Sequence, residues 1–140
     1  MIGTALCQRF EKNSISHLQL SRNPSGSSKK MVYWNPEEQV LENEKLGEVD
    51  TVIHLAGENV GKRWTHNIRE KILSSRKDSS RFLFEKLATH DPPPKTLIAS
   101  SAIGIYGYNN STQFDEDSPR GKGFLADVVE AWEESAQPLK

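Results

Sequence analysis

Two adjacent hydroxyls and a phenol, Ser100, Ser101 and Tyr106, are the side chains of this 140-residue sequence best placed to hold a substrate oxygen or pass it a proton. They stand in residues 96–107, Thr-Leu-Ile-Ala-Ser-Ser-Ala-Ile-Gly-Ile-Tyr-Gly, where a short apolar run ends in the serines and a Tyr-Gly pair follows. In a parallel α/β sheet, ligands bind beyond the carboxyl ends of the strands, where small residues let a ligand approach the backbone. A donor or an acid at those positions would meet it. The same twelve residues also make an ordinary strand and glycine-containing turn, so the rest of the chain has to decide.

Other chemistries find less support. His17, His54, His66 and His90 show no metal-ligand spacing, and Asp115-Glu116-Asp117 is a solvated loop without calcium-loop spacing. The net charge of -1, with both signs interspersed, offers no field for nucleic acid or an anionic membrane, and Lys29-Lys30 and Lys62-Arg63 are isolated pairs. Cys7 is the only cysteine, which excludes an internal disulfide and fits the cytoplasm or another reducing compartment. Nothing reads as a signal peptide or a membrane span.

The elements that must position the hydroxyls follow from periodicity and punctuation. Ile2, Ala5, Leu6 and Phe10 have helical spacing, with a stop at Asn13. Residues 17–20 and 31–34 predict strands, separated by a polar loop, and residues 36–46 predict a helical turn or two. Thr-Val-Ile-His-Leu within residues 50–55 predicts a strand covered on both faces. One long helix is expected from Thr65 or Asn67 to about Ala88, with Ile68, Ile72, Leu83 and Leu87 inside and Ser75 and Ser79 as small packing residues. Prolines 92–94 end it, the strand at Thr96 follows, and after a polar loop over 109–123 comes a helix over 124–136 with Leu125, Val128, Val129, Trp132 and Ala136 inside. Strands alternating with helices imply one α/β domain over residues 1–140, built on a parallel sheet with flanking helices.

Taken in order, several segments resemble the atypical, epimerase-like branch of the extended short-chain dehydrogenase/reductase superfamily. They are Ile2-Gly3-Thr4-Ala5-Leu6, Ser21-Arg22-Asn23-Pro24, Val52-Ile53-His54-Leu55-Ala56-Gly57-Glu58 and Lys62-Arg63-Trp64-Thr65. Ser75-Arg76, residues 101–107, Asp115-Glu116-Asp117-Ser118-Pro119 and Ala131-Trp132-Glu133 complete the set. The resemblance implies a Rossmann-like fold with a dinucleotide cofactor. Gly3 would be the last glycine of the phosphate-binding fingerprint. Ser21 and Arg22 stand where a carboxylate would otherwise hold the ribose of NAD, and their chemistry suits the extra phosphate of NADP. Leu55, Ala56 and Gly57 would line the adenosine side. Arg76 would reach the cofactor or, alternatively, form an ion pair on its helix surface.

Two departures from the family pattern matter. The superfamily's proton-transfer pair, a tyrosine and a lysine one helical turn later, falls by counting on Phe124 and Val128, neither of which carries a proton. Ser101 and Tyr106 remain the catalytic candidates, one residue further apart than in ordinary epimerases. The chain is also expected to lack the first strand with two of the three glycines, and the substrate-covering C-terminal region. A partial gene product or misplaced start is the preferred account, beside a natural split form or a degenerate remnant. The expected function is thus a fragment of an NADP(H)-dependent oxidoreductase or epimerase-like protein, inactive alone, acting on an unknown substrate of nucleotide-sugar type. The alternative is a non-catalytic nucleotide-binding or interaction module. A partner or second copy donating the absent strand is a third expectation, because unpaired strand edges recruit other chains.

Overall fold

Helix α1 (Ile2–Lys12) ends as its spacing predicts, where the Asn13 side-chain amide donates to the Arg9 carbonyl at 2.7 Å. None of its residues is buried. The computed structural model describes residues 2–23, 30–108 and 113–139; most of the loop expected before the second strand, and the start of that expected from residue 109, lie outside them. Strand β1 (Gln19–Ser21) pairs in parallel with β2 (Met31–Asn35), Leu20 opposite Val32. Along β2 the period of two sends Val32 and Trp34 into the core.

The helical turns expected over 36–46 give way to a hairpin. The Asn35 side-chain carbonyl accepts from the Glu37 and Glu38 amides at 3.1 and 3.4 Å, and Gln39 takes a left-handed φ of 56°, so the chain folds back. Strand β3 (Val40–Leu41) then runs antiparallel to β2, and the Glu42 carboxylate accepts the Tyr33 amide at 2.9 Å. Helical geometry survives only as the 3-10 turn Asn43–Lys45.

Strand β4 (Thr51–His54) pairs in parallel with β5 (Thr96–Ala99), Val52 opposite Leu97. The two sheets, β1–β2–β3 and β4–β5, share one core without pairing to each other, and among the described residues β1 and β4 each keep one edge without a strand partner. Helix α3 (Lys77–Ala88) covers that core: Phe82, Leu83, Phe84 and Leu87 pack with Val32, Trp34 and Leu46, and Leu20, Val52 and Leu97 join from the sheets. Coverage on both faces, expected of residues 50–55, is not what the strand pair has. Val52 and His54 turn toward the core, whereas on the opposite face Ile98, paired to Ile53, is 52% exposed.

The single long helix is two. Helix α2 (His66–Ser74) starts at Thr65, whose hydroxyl accepts the Ile68 amide, and α3 begins at Lys77. The break falls on Ser75 and Arg76, whose side chains are engaged with a different element. Helix α4 (Phe124–Glu134) buries Ala126, Val128, Val129 and Trp132. Among the described residues, no helix is long and apolar enough to cross a membrane.

Candidate functional site

Beyond the carboxyl ends of β4 and β5 the chain gathers most of the side chains singled out in the sequence. The Ser100 amide donates to the His54 carbonyl at 3.1 Å, which fixes the exit of β5 beside that of β4. Ser101, one residue on, donates its hydroxyl to the Glu133 carboxylate of α4. Tyr106 closes the 3-10 turn Ile103–Tyr106 and stacks on Phe114, with ring centres 5.0 Å apart and planes 4° from parallel. Both candidates line an open cleft of about 840 Å³, together with Ser118, Arg120, Glu130 and Glu133. Arg120 pairs with Asp127 and, at 3.1 Å, with Glu130.

Two glycines make this arrangement sterically feasible. A Cβ on Gly104 would lie 3.1 Å from the Leu125 Cβ, so the turn rests directly on α4. A Cβ on Gly121 would fall 2.0 Å from the Tyr106 carbonyl oxygen, where the Gly121 amide already donates to Ile105 at 2.9 Å. Residues 121 and 122 thereby lie directly against the backbone of Tyr106 and Gly107.

On the β4 side, Leu55 and Gly57 are exposed and Ala56 is half-buried. Arg76 reaches the same turn. Its Nη1 donates to the carbonyls of Glu58 at 3.0 Å and Ile72 at 3.4 Å, and its guanidinium lies 5.0 Å from the ring centre of Trp132. Desolvation lowers its pKa, opposed by the charge of Glu58. Glu58 itself pairs with Lys62 at 2.6 Å.

The remaining candidates stand apart from this group. Ser21 ends β1 in the other sheet, accepting the Asn23 amide at 3.1 Å, and Arg22 beside it is exposed. Gly3 lies in the first turn of α1, where an added Cβ would meet nothing within 4 Å. Phe124 packs edge-on to Trp64 at 5.5 Å, with the Arg69 guanidinium over both rings. Val128 is 1% exposed.

His54 is the core's one buried imidazole. Its Nε2 is 2.7 Å from the Ser80 hydroxyl, and Phe84 and Trp34 meet it edge-on. Burial pulls its pKa down to about 4, so the ring is neutral at physiological pH. Among the described residues no cluster of histidine, cysteine or carboxylates could hold a metal.

Sequence reasoning did not single out Ser80 or a role for Glu133. Glu133 was visible only as the end of the Ala-Trp-Glu segment, and its reach to Ser101 depends on packing that no local pattern encodes.

Parallel strand pairs covered by helices, with the polar side chains collected past the ends of β4 and β5, define a Rossmann-like α/β protein. The chain belongs to the NAD-dependent epimerase/dehydratase family, which residues 1–123 match. An epimerase family protein of Mycobacterium leprae is 31% identical over 141 aligned positions, covering 100% of this chain and 45% of that protein. Human epimerase family protein SDR39U1, isoform 2, solved with NADPH, superposes with a TM-score of 0.79 at 27% identity, over 97% of this chain and 45% of that one. A nucleoside-diphosphate sugar epimerase of Corynebacterium glutamicum gives a TM-score of 0.78 at 29% identity, over 99% and 28%. The chain thus spans less than half the length of these relatives.

Proposed function

We propose that this chain is the cofactor-binding part of an NADP(H)-dependent oxidoreductase or epimerase-like protein that acts on a small molecule of nucleotide-sugar type, and that the 140 residues alone have little or no turnover. The observation that carries the reading is that residues 55–57 follow β4, and Ser100 and Ser101 follow β5, at the same carboxyl end of the parallel pair, the place where open α/β sheets bind ligands. The residues also fit a phosphorylated dinucleotide. Arg22 is exposed and has no hydrogen-bond or ion-pair partner among the described residues, so its planar fork is open to phosphate oxygens. In this reading Ser21 and Arg22 hold the 2′-phosphate, Gly3 lies on the pyrophosphate side, and Leu55, Ala56 and Gly57 line the adenosine side. Bound, the nicotinamide would supply hydride transfer. Ser101 and Tyr106 would orient the substrate's oxygen and exchange its proton.

A second reading has its own observation. With an aromatic ring in a packed cluster at position 124 and a buried valine at position 128, the superfamily's proton pair has no counterpart here. That pattern suits a non-catalytic nucleotide-binding or interaction module. We also propose that the free edges of β1 and β4 accept a further parallel strand, from an N-terminal extension or from a partner or second copy. A monomer in solution with cooperative unfolding would count against a donated strand.

Calorimetry with NADPH, on this chain and on the chain extended by a first strand and glycine turn, tests the cofactor reading. Binding is expected, weaker or absent without the extension. No binding by either form, with the extended one folded, would remove the cofactor assignment. Turnover of carbonyl substrates by the extended, substrate-domain-bearing form that drops on Tyr106→Phe would favour the enzyme over the module.

A further inference from the structure

Glu58, just past β4, has both of its backbone groups held by consecutive residues of the α2–α3 break. Its amide donates to the Ser75 hydroxyl at 2.9 Å, and its carbonyl accepts from Arg76 Nη1 at 3.0 Å. Ser75 passes its own proton to the Ile72 carbonyl at 3.1 Å. Behind the turn, the guanidinium fills the space at Gly57: a Cβ there would stand 3.0 Å from Arg76 Cζ and 3.1 Å from Nη2. On its far side the guanidinium meets Trp132 of α4. A helix-surface arginine would spend its charge on a carboxylate three or four residues away. This one is committed to the backbone of another element and to an aromatic face, a combination that a lysine's point charge cannot reproduce.

We infer that Ser75 and Arg76 are positioning residues that fasten the turn at residues 56–58 to the α2–α3 break, Arg76 linking it on to Trp132 of α4, and that Arg76 serves the cofactor side through this turn without touching the dinucleotide. The inference rests on the cofactor reading above. The interruption between α2 and α3 falls on the same two residues whose side chains bond to Glu58. The fastening also gives Gly57 a reason to be glycine that owes nothing to backbone freedom.

A double-mutant cycle with Gly57→Ala and Arg76→Ala tests the fastening in the chain as it stands. Gly57→Ala lowers the urea midpoint in the unmodified background and is close to neutral once Arg76 is alanine; additive effects would overturn the contact. Amide exchange at Glu58 accelerates about ten-fold in both Ser75→Ala and Arg76→Lys, with the amides of α3 unchanged. Unchanged exchange at Glu58 would equally overturn it. The cofactor side is read in whichever form binds NADPH by calorimetry. There Arg76→Lys weakens NADPH and NADH alike, by about ten-fold or more, as a displaced turn requires. A loss confined to NADPH would mean that Arg76 touches the 2′-phosphate, and unchanged affinity for both would mean that the turn does not serve the cofactor. If neither form binds NADPH, the cofactor reading fails and takes that half of the inference with it, while the cycle and the exchange rates still decide the fastening.

Discussion

Lowering the pH from 7 to 5 should destabilise this domain through one residue, the buried His54. His54 is 3% exposed, its Nε2 is committed to Ser80, and burial holds its pKa at about 4 against an ordinary 6.5. The unfolded chain therefore takes up a proton near pH 6.5 that the folded chain refuses until about pH 4. Stability from the neutral imidazole is fully present above the unfolded value and is lost as the pH falls from 6.5 toward 4. The whole interval is worth about 3 kcal/mol, and about 2 kcal/mol of it is gone by pH 5. Urea unfolding at pH 7, 6 and 5, followed by the fluorescence of the buried Trp34 and Trp132, measures this. His54→Gln keeps a polar group toward Ser80 and removes the titration, so its stability at pH 7 falls but changes little down to pH 5. Parallel stability profiles for the two proteins between pH 7 and 5 would refute the reasoning, since every other titrating group is common to both.

Thr65→Ala removes the hydroxyl that accepts the Ile68 amide at the start of α2 and costs about 1 kcal/mol in urea unfolding. Gly121→Ala forces a methyl into the Tyr106 carbonyl and must lift residues 119–123 off the 3-10 turn. Its signature is loss of protection at the Gly121 amide and a changed ring environment for Tyr106 in NMR spectra. In the NADPH-binding form, Arg22→Ala narrows the preference for NADPH over NADH by about ten-fold, the worth of one charge-assisted contact to phosphate. An unchanged ratio would leave the 2′-phosphate without its assigned partner.

Much of this architecture was legible because it rests on local chemistry. The stripe Val128, Val129 and Trp132 predicts the buried face of α4, and the β-branched run at 51–53 marks β4. What escaped depends on partners far away in sequence. The split between α2 and α3 falls on two residues whose side chains bond to Glu58, 17 and 18 residues upstream, within a stretch whose propensity is helical throughout. Strand β3 has only two residues, in a glutamate-rich segment, and although Asn35-Pro36 marks a turn, nothing local announces the positive φ at Gln39. Ser79 and Ser80 are alike in type, yet it is Ser80 that is buried, because it alone faces His54. That residues 55–57 and Ser100–Ser101 leave the strand pair at the same end was readable in kind, since parallel strands put their carboxyl ends together, but not which side chains would hold them.

Helix α4 supplies that missing connection, and its two neighbouring residues Trp132 and Glu133 do it on adjacent sides. Trp132 is buried under the Arg76 guanidinium that holds the β4 turn, and Glu133 accepts the hydroxyl of Ser101 after β5. Successive helix residues point about 100° apart, so one helix can serve two loops only if they flank it on adjacent sides. Leu125 and Val129 meet Gly104 between them, which sets how closely the serine-bearing turn approaches. Phe124 and Val128, the positions on which the sequence count places the superfamily's proton-transfer pair, are both engaged in packing. The polar contact of α4 with the candidate site lies near its carboxyl end, at the glutamate that bonds the candidate serine. Ser101 is the donor in that bond, and its oxygen presents lone pairs to the cleft. A serine held in this way receives a hydrogen bond from a substrate hydroxyl more readily than it donates one to a carbonyl.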